Sequence, residues 1–306
     1  MKTIAILNQK GGVAKTTTVV NVAAALAKMG LKVAVIDMDP QAHLTIHLGI
    51  DPQTTDSGTY KVLTQSAEFQ EQLMLVRPNL WLLTANINLV GAESELVNVV
   101  GRETILREAL SGEKNPPDRT KHADFDYILF DCAPSLGLLT LNALASAQDI
   151  LIPLQPHFLA LQGLGKLLHT VELVKKRINP KLQVRWILLC MFDTRASLPA
   201  EVKANITTYF DNARNQNLPW SNAQVVPICI RPNIKLAEAP SYGKTIFEYE
   251  KNCHGAEDYQ KVAQFINQQM TTAPAENTAQ PESQPENNQP KETTNTTEQT
   301  CFEENI

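Results

Sequence analysis

Asn8-Gln9-Lys10-Gly11-Gly12-Val13-Ala14-Lys15-Thr16-Thr17 stands between a short apolar run, Ile4 to Leu7, and a stretch of helical composition from Lys15 to Met29. A strand that ends in a glycine-bearing turn and feeds a helix aims backbone N–H groups at an anion. Gly11 and Gly12 let the backbone approach phosphate oxygens with no Cβ in the way. In that frame the Lys15 ammonium reaches the β- and γ-phosphates of a nucleotide, and the Thr16 hydroxyl binds Mg²⁺. Val13, Ala14 and Thr17 complete the cradle. The usual G-x-x-x-x-G-K-[ST] spacing is not met, because Gln9 and Ala14 stand at its two glycine positions.

Around this loop the chain alternates between strand and helix. Lys2–Asn8 is the first strand, and Gly30 closes the helix that follows it. Further strands are expected at Lys32–Asp37, Leu80–Thr84, Tyr127–Asp131, Ile150–Leu154, Val184–Phe192 and Gln224–Ile228. These runs are continuously apolar rather than alternating, as in strands buried on both faces of a parallel sheet. With helical segments between most of them, the expected fold is α/β: a doubly wound, mostly parallel sheet flanked by helices.

Composition divides the 306 residues in two. Residues 1–270 carry the core-forming pattern. Residues 271–306, rich in Thr, Asn, Gln, Glu and Pro, hold seven Glu and one Lys; so polar a segment cannot offset its ordering entropy, and a disordered acidic tail is expected. The net charge of −5 therefore hides a near-neutral body. Within that body, residues 175–251 hold twelve Lys and Arg against six Asp and Glu, a basic stretch suited to an anionic polymer. No apolar run is long enough to span a bilayer and no signal peptide is evident, so a cytoplasmic protein is expected. Five scattered cysteines without C-x-x-C spacing argue against a disulfide framework or a cysteine metal site. His43 and His47 have the spacing of zinc-binding histidines but lack the glutamate of H-E-x-x-H, and are read as ordinary surface or packing residues.

Two further segments fall at strand ends: Val35-Ile36-Asp37-Met38-Asp39-Pro40-Gln41, and Tyr127-Ile128-Leu129-Phe130-Asp131-Cys132-Ala133-Pro134-Ser135. Strand ends of an open parallel sheet face the ligand crevice. Together with Lys10-Gly11-Gly12-Val13-Ala14-Lys15-Thr16-Thr17, they resemble the deviant Walker A, D-x-D-P-Q and Walker B motifs of the ParA/MinD family of ATPases. The resemblance spans nearly all of residues 1–270. It implies ATP and Mg²⁺ as ligands, and a homodimer in which Lys10 reaches the partner's ATP. A cation acting in trans neutralises phosphoryl charge only when two loaded subunits meet. It further implies that Asp39 positions the attacking water, while Asp37 and Asp131 lie at the metal. The segment Arg231 to Lys244 resembles the one that closes over adenine, with Pro232 and Asn233 as base contacts. Ala14 replaces the family's glycine, which is tolerable if the residue sits at negative φ.

The same resemblance gives Arg195, Arg231 and Lys235 as candidates for contact with DNA phosphates. Such contacts add affinity without reading sequence. With nine residues before Lys10, no helix-turn-helix is expected ahead of the loop. The implied activity is a nucleoid-associated ATPase of the partition type. It would dimerise on ATP, bind DNA non-specifically, and position a cargo through hydrolysis stimulated by a ParB-like or other adaptor. A MinD-like membrane-surface ATPase would need a basic amphipathic C-terminal helix in place of the acidic tail. A metabolic or iron–sulfur ATPase of the same fold would need cluster ligands, and only Cys132 adjoins a site motif.

Overall fold

A computed structural model describes residues 1–56, 58–111, 124–157 and 160–272. The first strand, β1 (Lys2–Ile6), runs into the glycine loop and then α1 (Lys15–Lys28). Next come β2 (Val33–Met38), α2 (His43–His47), α3 (Thr59–Thr64), β3 (Met74–Arg77) and β4 (Leu80–Leu83). After α4 (Leu89–Glu95) and α5 (Ile105–Ser111) the chain returns as β5 (Tyr127–Cys132), α6 (Leu138–Ser146), β6 (Asp149–Leu154), α7 (Ala160–Arg177) and β7 (Gln183–Leu189). The last elements are α8 (Ser197–Ala213), β8 (Gln224–Val225), α9 (Ile234–Glu238), α10 (Ile246–Tyr249) and α11 (His254–Thr272). The tail expected beyond them lies outside the described residues.

One eight-stranded sheet takes the order β3-β4-β2-β5-β1-β6-β7-β8. Every pairing is parallel except β3 with β4. The expected doubly wound sheet is therefore observed, and β1 lies at its switch point. From β1 the chain departs to β2 on one side, and later enters β6 on the other. A crevice opens at the carboxyl end of such a strand, where the loop of residues 8–14 sits.

Pleating sorts the side chains onto two faces. Val33 and Val35 of β2 and Tyr127 and Leu129 of β5 pack in a core with Val19, Val22 and Leu26 of α1 and Tyr259 and Ile266 of α11. Ala34, Ile36, Ile128 and Phe130 point the other way, into a core with Leu139 of α6, Leu167 of α7 and Ile206 of α8. Both faces are covered, which is why these strands read as unbroken apolar runs.

Three strand expectations are corrected. The strand foreseen at Gln224–Ile228 shrinks to Gln224–Val225, because Pro227 has no N–H to donate and a fixed φ. The one foreseen to Phe192 ends at Leu189, as Met191 turns left-handed at φ 54°. The strand β3 was not foreseen; it folds back on β4 through Pro78-Asn79, with Asn79 at φ 60°.

Candidate nucleotide site

Asp37 is the next-to-last residue of β2 and Asp131 of β5, and the two are register partners on adjacent parallel strands. Both sit at odd positions of their strands, on the face that packs against α1, so their carboxylates stand side by side. Neither is exposed by more than 1%. The Thr16 hydroxyl, on the first turn of α1, donates to Asp131 Oδ2 at 2.7 Å. The second oxygen, Asp131 Oδ1, is buried without a hydrogen-bond partner. An unsatisfied buried carboxylate oxygen is costly unless a ligand completes it.

Asp37 is held from α2 and from its own strand end. Thr45 donates to Asp37 Oδ2 through its N–H at 2.9 Å and its hydroxyl at 2.7 Å. The Asp39 N–H donates to Asp37 Oδ1 at 3.2 Å. Burial pushes the Asp37 carboxyl up to about 7 despite these bonds. Burial also raises Asp131 well above the carboxylate range; the neighbouring Asp37 adds to this, and Thr16 and Lys15 oppose it. Two carboxyl groups this dry and this close resist ionising together.

These residues fit Mg²⁺. Among the described residues no group of three or more His, Cys, Asp or Glu could hold a metal unaided. Mg²⁺ keeps several waters and leans on one or two carboxylates and on phosphate oxygens. The Thr16 hydroxyl and the open Asp131 oxygen, with Asp37 beside them, are the groups that would supply the protein's share.

Above the carboxylates, Asn8 anchors the loop: its Nδ2 donates to Pro153 O at 2.7 Å and its Oδ1 accepts from Lys10 N at 3.0 Å. Lys15 is 8% exposed, and its ammonium donates to Lys10 O at 3.1 Å. Burial lowers its pKa, with Asp131 and Asp39 acting the other way. A Cβ on Gly12, at φ 73°, would meet no atom within 4 Å, so the space over the loop is open. Lys10 is exposed. Asp39 is half-buried and accepts from the Gln41 N–H at 3.0 Å.

Ala14 does not meet the condition under which it would replace the family's glycine without strain: it lies at φ 68°, ψ 31°, in the left-handed region. The cause is the cradle itself. Successive N–H groups converge on one point when neighbouring residues alternate in hand, and Ala14 takes the left-handed place despite the strain its Cβ brings.

The remaining candidates gather near the ends of β7 and β8. A bridge between Cys190 and Ile230, with Phe192 N donating to Ile230 O at 2.9 Å, sets residues 190–195 beside 230–235. Arg195 is exposed and paired with Asp193 at 2.9 Å. Arg231 meets Asp258 at 2.6 Å and Glu257 at 2.8 Å, tying β8's exit to α11. Lys235 pairs with Glu238 at 2.9 Å. Asn233 caps α9 by accepting from Lys235 N at 2.9 Å, and Pro232 before it is exposed. His43 is exposed and His47 buried. Cys132 is a buried thiol whose pKa burial raises. No described helix is long and apolar enough to cross a membrane.

A glycine loop between strand and helix, two strand-end carboxylates and a threonine hydroxyl define a P-loop nucleotide-binding protein. Residues 1–184 match the protein family described as an AAA domain. The chain is 42% identical over 260 residues to the chromosome partitioning protein ParA of Myxococcus xanthus, covering 84% of each. It belongs to the ParA/Soj family of chromosome-partitioning P-loop ATPases. The sporulation initiation inhibitor protein Soj of Bacillus subtilis is 40% identical over 266 residues, 87% of this chain and 98% of that one. A crystal structure of cobyrinic acid a,c-diamide synthase from Mycobacterium smegmatis, with bound ATP analogue and magnesium, superposes at a TM-score of 0.72. The identity is 33% over 89% of this chain and 96% of the other.

Sequence reasoning missed Thr45, which orients Asp37. It also missed Asn21, whose Nδ2 donates to Thr17 O at 2.8 Å while its Oδ1 accepts from Ile246 N at 2.9 Å. No local pattern marks either residue. A polar residue inside the apolar run of α1 was the available signal for Asn21, since a buried amide needs partners.

Proposed function

We propose that this protein is a ParA-type ATPase that dimerises on ATP, binds DNA without sequence preference and positions a cargo through hydrolysis stimulated by an adaptor. The observation that carries the reading is the Thr16–Asp131 hydrogen bond beside an unpartnered carboxylate oxygen, beneath an open glycine loop. Lys15 turns from the Lys10 carbonyl to the β- and γ-phosphates. Thr16 and Asp131, with Asp37 beside them, hold Mg²⁺ through its water shell, and the backbone of residues 11–17 cradles the phosphates. Mg²⁺ supplies neutralisation of phosphoryl charge. Asp39 orients the attacking water, and Pro232 and Asn233 border the base. Lys10, exposed at the loop tip, serves the ATP of the partner subunit.

Support for a partner surface comes from α4 and the turn after it. Ile87, Val90, Val97, Val99 and Val100 are all exposed. They follow the carboxyl end of β4, on the rim that carries the P-loop. Exposed apolar side chains gathered on one rim mark an interaction surface. DNA contact is assigned to the basic strip at the ends of β7 and β8. There Arg195, among the described residues, has the half-buried Asp193 as its partner and can exchange it for a phosphate, whereas Arg231 is engaged by the buried Asp258.

Binding to random-sequence duplex DNA, followed by fluorescence anisotropy with ATP·Mg²⁺, ADP·Mg²⁺ or no nucleotide, tests the reading. Binding only with ATP, falling steeply with salt and indifferent to sequence, is expected. ATP turnover without DNA binding in any nucleotide state would reject the nucleoid assignment, and would turn attention to a metabolic enzyme such as the M. smegmatis synthase.

A further inference from the structure

Arg77 ends the edge strand β3, away from the P-loop, and its guanidinium makes four hydrogen bonds. Its Nη2 donates to Gly243 O at 2.8 Å. Its Nη1 donates to Val76 O at 2.8 Å and to Leu48 O at 3.3 Å. Its Nε pairs with Glu248 at 2.6 Å. One side chain thus joins three segments: the sheet edge, the turn after α2, and residues 243–248.

The segments it joins are also in direct contact. Gly243 lies at φ 61°, and a Cβ there would fall 2.6 Å from the Cα of Gly49, so the two backbones touch. Glu248 reaches back to the Thr245 N–H at 2.8 Å, closing a capping box on α10. From α10 the Ile246 N–H reaches Asn21 of α1, which in turn holds the Thr17 carbonyl beside the P-loop. From Gly49 the path runs back through α2 to Thr45 and the Asp37 carboxylate. Residues 239–249 are therefore fastened at one end to the helix that bears the phosphate loop, and at the other to the strand end that bears the acidic pair.

We infer that Arg77 is a positioning residue for nucleotide-base recognition: it pins residues 239–249 to the turn after α2, and so sets base affinity without touching base or phosphate. The inference rests on the ATPase reading, in which the segment from Arg231 to Lys244 closes over the base. The path is built from backbone carbonyls and one carboxylate, acceptors that match a planar guanidinium and that a single ammonium cannot all reach at once. The turn at residues 239–243 is also braced by Tyr242 stacking on Tyr249, with ring centroids 5.1 Å apart, and both rings lie within the segment that Arg77 pins.

The experiment compares full-length Arg77→Gln with the wild type, using Mg·ATP, Mg·GTP and inorganic tripolyphosphate as probes. Tripolyphosphate senses the P-loop and acidic pair but has no base. Losing the charge-assisted bonds is expected to weaken ATP about tenfold and to narrow the preference for ATP over GTP. Tripolyphosphate affinity should stay within about twofold, and kcat at saturating ATP should change as little. Arg77→Lys should recover part of the loss. Should Arg77→Gln fail to fold, Glu248→Gln keeps the Gly243 and Leu48 bonds and should show the same split at about threefold. Parallel weakening of ATP and tripolyphosphate would overturn the inference, as would unchanged ATP affinity. A wild-type chain that binds neither probe would overturn the ATPase reading, and this inference with it; normal wild-type binding isolates a failure to Arg77.

Discussion

Asp37 and Asp131 sit dry in the sheet, resisting joint ionisation, with one Asp131 oxygen unpartnered. Arg195, Arg231 and Lys235, further along the sheet, each hold a carboxylate at 2.6–2.9 Å. The first region is strained electrostatically and dry; in the second, Arg195 and Lys235 pair with carboxylates that water reaches, and only Arg231 holds a buried one. The contrast separates two kinds of binding. A buried, incomplete group waits for one ligand of defined geometry, and its completion is worth far more than a surface contact. An exposed pair exchanges partners at little cost, which suits reversible and sequence-blind contact with a polyanion.

Four substitutions would break or sharpen this contrast. The largest effect is expected from Lys15→Ala, which removes the one buried cation over the acidic pair. Hydrolysis should fall by about a thousandfold, and calorimetry should detect no ATP binding. If ATP still bound at wild-type affinity, the buried region would not be the phosphate site. Asp39→Ala acts on the half-buried carboxylate beside that pair. Turnover should fall about a hundredfold while ATP binding persists, leaving a dimer visible by light scattering; a fully active variant would remove Asp39 from the water-positioning role. In the second region the effect is smaller. Arg195→Ala should lower the slope of log affinity for DNA against log salt by about one, with no change in sequence preference. A slope identical to the wild type would place the DNA contact elsewhere. The smallest effect is Ala14→Gly, which relieves a left-handed alanine at φ 68°. It should add about 1 kcal/mol, and raise Tm by about 2–4 °C; a lower Tm would mean that the Ala14 methyl packs usefully.

The strand ends were legible in the sequence because position in a parallel sheet is periodic. An apolar run that ends in Asp, after a glycine loop, places the carboxylate at the crevice whatever the rest of the chain does. Asp37 and Asp131 were placed at the crevice in this way, whereas their expected role at a metal came from the family resemblance. The bonds that orient them were not legible. Thr45 reaches Asp37 from the next helix, Asn21 meets Ile246 across 225 residues, and Arg77 meets Glu248 across 171. Such pairings belong to the packed fold, and no local spacing announces them. The hand of Ala14 was not legible for a related reason. Residue type sets the cost of a left-handed φ, whereas the convergence of the loop decides whether that cost is met. The hairpin at β3 had a signal in Pro78-Asn79, but four residues of mixed burial gave the strand itself none.

The two margins of the sheet have a bearing on how the molecule can aggregate. One margin is β3, four residues long, bulged between Leu75 and Arg77 and running against its neighbour. The other is β8, only two residues before a proline. Neither offers a long, flat row of free amides on which another chain could template. Both margins are thus guarded against sheet-to-sheet polymerisation, even at high local density.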